Sequence, residues 1–88
     1  KMQRELQKAM NELKEKEFVI NKNGMVVVTV TGNKEVKSID IDNDAMDVDN
    51  KDMVQESIVL ALNEAFAKID AEAEAINERI TGRAGGLF

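Results

Sequence analysis

Eighty-eight residues with no cysteine, histidine, tyrosine, tryptophan or proline make one small domain that no disulfide can staple. Without histidine or cysteine the usual zinc sites are excluded, and so are the commonest general bases and nucleophiles, which points away from an enzyme. The net charge of −5 argues against a strong nonspecific nucleic-acid binder, whose domain is usually basic.

That charge is unevenly spread. Residues 1–16 carry +2, whereas residues 40–80 hold three basic and twelve acidic side chains, a local −9. Any contact with an anionic partner must therefore come from local basic patches. A chain this short buries a small core, so oligomerisation is the expected source of extra stability. No apolar run approaches the roughly 20 residues needed to cross a bilayer, and no signal peptide is visible. A cytoplasmic protein without a membrane role is the expectation.

In chain order, residues 1–16 predict an amphipathic helix. Met2, Leu6, Ala9, Met10 and Leu13 recur at helical spacing, and Lys1, Arg4 and Lys8 fall on the opposite face. No start signal precedes the pattern, so the helix is expected to begin upstream of Lys1. Residues 17–42 predict three antiparallel strands. Phe18-Val19-Ile20 forms the first, short strand, and Asn23-Gly24 marks a tight turn. Met25 to Thr31 forms the second strand, with Val26, Val28 and Val30 on one face. Gly32 to Glu35 turns again, and Val36 to Asp42 forms the third strand, with Ile39 and Ile41 facing inward. Val36 breaks that alternation, which places a bulge or strand end near Lys37.

Residues 43–50 form an acidic loop, and residues 51–80 predict a long helix with Asp49 or Asn50 as its N-cap. Its stripe runs through Val54, Ile58, Ala61, Leu62, Ala65, Phe66, Ile69, Ala73, Ile76 and Ile80, with Met53 and Leu60 adding a second apolar face before residue 70. At 1.5 Å per residue about 30 residues span roughly 45 Å, too long for a small sheet to cover. The first half is expected to pack on the sheet. The second half, with its thinner seam, is expected to pair with another helix, either the N-terminal one or the same region of a second chain. Gly82 reads as the helix stop, and residues 81–88 as a flexible tail.

The run Asp40, Asp42, Asp44, Asp47, Asp49 and Asp52 invites a calcium reading, but an EF-hand loop beginning at Asp40 needs glycine and glutamate where Ala45 and Lys51 stand. A solvated loop with helix capping accounts for it, and no metal or other cofactor is implied. The Lys1–Arg4–Lys8 stripe can neutralise phosphates, but on sequence alone an ordinary solvated helix face is the favoured account of it. Arg79 and Arg83 make a second small basic cluster near the end of the long helix.

The order helix, three-strand meander, acidic loop, long helix and glycine-rich end resembles the YbaB/EbfC family of bacterial nucleoid-associated proteins. The residues carrying the likeness are Gly24-Met25-Val26-Val27-Val28-Thr29-Val30, Gly32, Val36 with Ile39-Asp40-Ile41, Leu60-Ala61-Leu62-Asn63-Glu64-Ala65, and the closing Gly85-Gly86-Leu87-Phe88. The proline common before that family's final Gly-Leu-Phe is absent, with Ala84 and Gly85 in its place. The resemblance implies an α+β homodimer with joined sheets and projecting helical arms. It implies binding of double-stranded DNA in the nucleoid, with a role in nucleoid organisation or gene regulation. Carried onto this chain, it assigns DNA contact to Lys1, Arg4 and Lys8, and more weakly to Lys68, Arg79 and Arg83. The alternative is a protein-interaction module acting with DNA replication or repair proteins.

Overall fold

Helix α1 spans Met2–Glu15 in a computed structural model that describes residues 2–85, with side chains described over residues 3–80. Three antiparallel strands follow, β1 (Glu17–Lys22), β2 (Val26–Thr31) and β3 (Val36–Ile41), in spatial order β1-β2-β3. Two 3-10 turns, Asn43–Ala45 and Val48–Asn50, lead directly into helix α2 (Lys51–Gly85).

Both hairpins obey their local chemistry. Asn23 (φ 58°) and Gly24 (φ 66°) take the left-handed conformations a tight β1–β2 turn demands, and the Met25 N–H donates to the Lys22 carbonyl at 3.0 Å. In the β2–β3 turn the left-handed residue is Lys34 (φ 63°), not Gly32. The register between β2 and β3 slips between Thr29, opposite Ser38, and Val30, opposite Val36. Lys37 is thus the extra residue, where the broken alternation placed a bulge. The bulge returns Val36 to the face of Ile39 and Ile41.

The valines of β2 are the centre of the core: Val26, Val28 and Val30 are fully buried. They are covered by α2, whose inward positions are Val54, Ser57, Ala61, Ala65 and Ile69. The larger Ile58, Leu62 and Phe66 of the predicted stripe lie to one side and are only partly buried. Ser57, 1% exposed, is the one buried polar residue among those described, and its hydroxyl accepts from Asn23 Nδ2 at 2.9 Å. That bond ties the first hairpin turn to the helix and satisfies a hydroxyl whose unpaired burial would cost about 1–3 kcal/mol.

Two expectations need correction. Ile39 shares the valine face but is 41% exposed, because α2 lies over β1 and β2 and leaves β3 largely uncovered. Asp47 caps the 3-10 turn that leads into α2, its carboxylate accepting from the Asp49 N–H at 2.9 Å, and Asn50 is the residue directly before the helix. The long helix does not stop at Gly82 but continues to Gly85. Glycine inside a helix costs only about 1 kcal/mol relative to alanine, and no proline follows to block the next turn. Residues 86–88, the rest of the expected tail, lie outside the described residues.

Beyond the sheet, the second half of α2 meets α1, and this settles which helix partners it within one chain. Leu6, Ala9, Met10 and Leu13 of α1 pack toward Ile69, Ala73, Ile76 and Ile80 in an antiparallel pair. This two-helix arm makes the molecule 58 Å long and only 14 Å thick. Gly32 fixes where the arm leaves the body. Its N–H donates to the Lys16 carbonyl at 2.9 Å, and a Cβ added there would overlap the Leu13 carbonyl oxygen and sit 2.6 Å from its carbon. We expect Gly32→Ala to lose about 2–3 kcal/mol in urea unfolding, the range of overpacking against an unyielding neighbour. Gly24→Ala, with nothing within 4 Å of the new Cβ, should lose only the roughly 1 kcal/mol of a left-handed alanine. Equal losses for the two variants would refute this account of Gly32.

Candidate nucleic-acid interface

The basic side chains divide into two groups. On the body, lysines face carboxylates of neighbouring elements: Lys16 Nζ to Glu72 (2.7 Å), Lys22 to Glu64 (2.6 Å), Lys34 to Asp70 (2.7 Å), and Lys37 to Glu17. Three of these pairs tie α2 to the β1 edge and to the second turn. Lys16 also lies 5.3 Å from the centre of the Phe18 ring. Most are exposed and individually worth little, but together they neutralise the cations around the sheet.

The second group has no such partners. Among the described residues, Arg4, Lys8, Lys14, Lys51 and Arg79 form no ion pair. All but Lys51 stand on the arm. Arg4 and Lys8, at i and i+4, share the outer face of α1 with Gln7 and Asn11, and Glu12 and Glu15 follow toward the body. Arg79 lies on a flank of the arm, in a shallow groove with Ala9, Glu12, Lys16, Glu72 and Ile76.

The six residues assigned from sequence therefore fall in different places. Arg4 and Lys8 share the outer face of α1, and Arg79 lies on a flank of the same arm. Lys68 stands on the body, 4.0 Å from Glu64, a carboxylate already held by Lys22. Lys1 lies outside the described residues, and Arg83 belongs to the last turns of α2, with its side chain outside the described part. Lys14, on the same helix as Arg4 and Lys8, is also exposed.

A second surface is apolar. Val36 and Ile39 on the uncovered face of β3 are 45% and 41% exposed. Next to them an open groove is lined by Ile41, Ala45, Met46, Val48, Val54 and Ile58. Met46 and Val48, 70% and 82% exposed, stand at its rim. Among the described residues no cluster of acidic side chains is arranged to hold a metal ion, and no helix is long and apolar enough to cross a membrane.

The structure is thus a small α+β body bearing a two-helix arm, with most of the unpaired cations among the described residues on that arm. Comparison with known proteins gives the family. The YbaB/EbfC DNA-binding family matches residues 1–84, and the chain belongs to that family. Its relatives include a nucleoid-associated protein of Lachnospira eligens, 47% identical over 77 residues, covering 86% of this chain and 66% of that protein. A nucleoid-associated protein of Acetivibrio thermocellus is 40% identical over 88 residues, covering 99% of this chain and 78% of the relative. One of Enterococcus faecalis is 41% identical over 76 residues, covering 85% and 73%. Among solved structures, the uncharacterized protein HP0035 from Helicobacter pylori shares the fold, with a TM-score of 0.60 at 22% identity over 99% of this chain and 94% of that one.

The Glu64 site offers a test of the body's ion pairs. The hydrogen bond from Lys22 holds the Glu64 carboxyl below its ordinary value of 4.5, against partial burial, with the charges of Lys22 and Lys68 assisting. A carboxyl depressed in the folded state stabilises the fold above its unfolded pKa, and that contribution disappears as pH falls through the folded value. Stability should therefore decline below about pH 4.5, and Glu64→Gln should flatten that decline while lowering stability at neutral pH. Thermal unfolding of both proteins across the carboxylate range checks this, and parallel curves would contradict it.

Proposed function

We propose that this protein is a nucleoid-associated, DNA-binding homodimer that holds duplex DNA through phosphate contacts from its projecting arms. One observation carries the reading: the body's lysines are largely matched by carboxylates, and the cations left without partners among the described residues concentrate on the arm. Arg4, Lys8 and Arg79 are the principal contacts. Lys1, one residue before α1, and Arg83, in the last turns of α2, belong to the same assignment by chain position. Lys68 is a weaker member, because Glu64 is beside it. The names of the relatives, all nucleoid-associated proteins, support the nucleoid as the place of action.

The half-covered sheet supports the dimer. Val36, Ile39, Ile41, Met46, Val48 and Ile58 make one apolar surface on the side of β3 that α2 leaves open. A second copy of the chain, applying the same surface, buries both at once. Two arms, one from each protomer, then grip the duplex together, and the acidic residues 40–52 remain on the body.

Binding of this kind weakens with salt, because each neutralised phosphate releases condensed counterions. Arg4→Gln and Lys8→Gln should each reduce the slope of log affinity against log salt by about two in a dimer, one unit from each protomer. Gel-shift titration at several salt concentrations checks this, and a wild-type affinity that ignores salt refutes the phosphate contacts. For the dimer, Ile39→Lys should yield a folded monomer by sedimentation, since the residue is already 41% exposed within one chain. An unchanged mass would place the interface elsewhere.

A further inference from the structure

The outer face of α1 carries more than cations. Opposite the apolar seam of Leu6, Ala9, Met10 and Leu13, the exposed residues Arg4, Gln7, Lys8 and Asn11 follow one another at i, i+3, i+4 and i+7. All four are hydrogen-bonding side chains. Gln7 and Asn11, one helical turn apart, carry neutral amides that add nothing to phosphate attraction. A carboxamide can both donate and accept, so it matches the adenine edge in the major groove, where N6 donates and N7 accepts.

The surroundings favour this face as the one that meets the duplex. At 1.5 Å per residue, Gln3 to Asn11 covers about 12 Å, close to the width of the major groove. Glu12 and Glu15 follow immediately toward the body and repel phosphates, so the contact ends where the amides end. Glu72 and Glu74 line the grooves on the two flanks of the α1–α2 seam, Glu72 beside Glu12 and Glu74 beside Leu6 and Met10, off the face that carries Arg4, Gln7, Lys8 and Asn11.

We propose that Gln7 and Asn11 read adenine edges in the major groove, with α1 laid into the groove and held there by Arg4 and Lys8. The proposal rests on the DNA-binding reading above and adds base recognition to it.

The probe is a duplex in which every adenine is replaced by 7-deazaadenine. This removes the N7 acceptor from the major groove and leaves phosphates, minor groove and base pairing in place. The wild-type protein should bind it about tenfold more weakly than the unmodified duplex, the scale of losing bidentate adenine contacts. The double variant Gln7→Ala, Asn11→Ala should bind both duplexes alike while keeping the wild-type salt slope. Its substituted positions are exposed and its fold should be retained, which circular dichroism verifies. Equal wild-type affinity for the two duplexes overturns the proposal, and so does a double variant that still discriminates between them. If Arg4→Gln and Lys8→Gln also leave affinity and salt slope unchanged, the broader reading of the arm fails. If those two variants act as expected and the modified duplex makes no difference, only the adenine contacts fail.

Discussion

The distance between α2 and the sheet is set by three small side chains, Ser57, Ala61 and Ala65, resting over the valines of β2. Small residues let the helix axis come close, and close approach leaves the larger Ile58, Leu62 and Phe66 no room beneath it. They fall to the β3 side, where nothing in the chain covers them fully. Beyond that seating α2 runs past the sheet and gives α1 an apolar track to lie on. Half-covered sheet, overhanging helix and two-helix arm are thus linked consequences of one close contact. Asn23 and Ser57 fix its position along the sheet through a single buried hydrogen bond.

Much of this architecture was legible in the sequence because it is written in short-range periodicity. The alternation of Val26, Val28 and Val30 defined the buried face, and the broken parity at Val36 located the bulge at Lys37. The excess length of the second helix implied an overhang. Periodicity identifies a face but not its cover, so Ile39 read as buried when its face is open. It also overlooks small polar residues: Ser57 occupies the centre of the helical stripe and owes its place to a partner 34 residues away. Gly32 looked like a turn glycine, yet the left-handed residue there is Lys34, and Gly32 matters because a distant backbone passes against it.

The candidate interface was partly legible for the same reason. Arg4 and Lys8 are one turn apart, so their shared face follows from the helix alone. Lys68 and Arg79 sit eleven residues apart on one helix and are alike in charge. Only tertiary structure separates them, by putting Lys68 beside a carboxylate that already serves Lys22, while Arg79 stands on the arm. The roles of Lys16, Lys22 and Lys34 were equally out of reach, since each carboxylate partner lies more than thirty residues along the chain. Nothing in composition distinguishes a lysine spent on holding the body together from one left for a ligand.

The uneven spread of charge along a 58 Å molecule has a kinetic consequence. Acidic groups crowd the loop end of the body, whereas basic and acidic side chains nearly balance on the arm. A molecule so built carries a dipole along its length. The field of a polyanion exerts a torque on that dipole before contact, turning the arm inward and the acidic end away. Encounters are thereby sorted by orientation during diffusion, an effect that raises association rates and fades as ionic strength shortens the reach of the field. The negative net charge, which at first argues against a nucleic-acid ligand, becomes the part of the molecule that rejects approach from the wrong end.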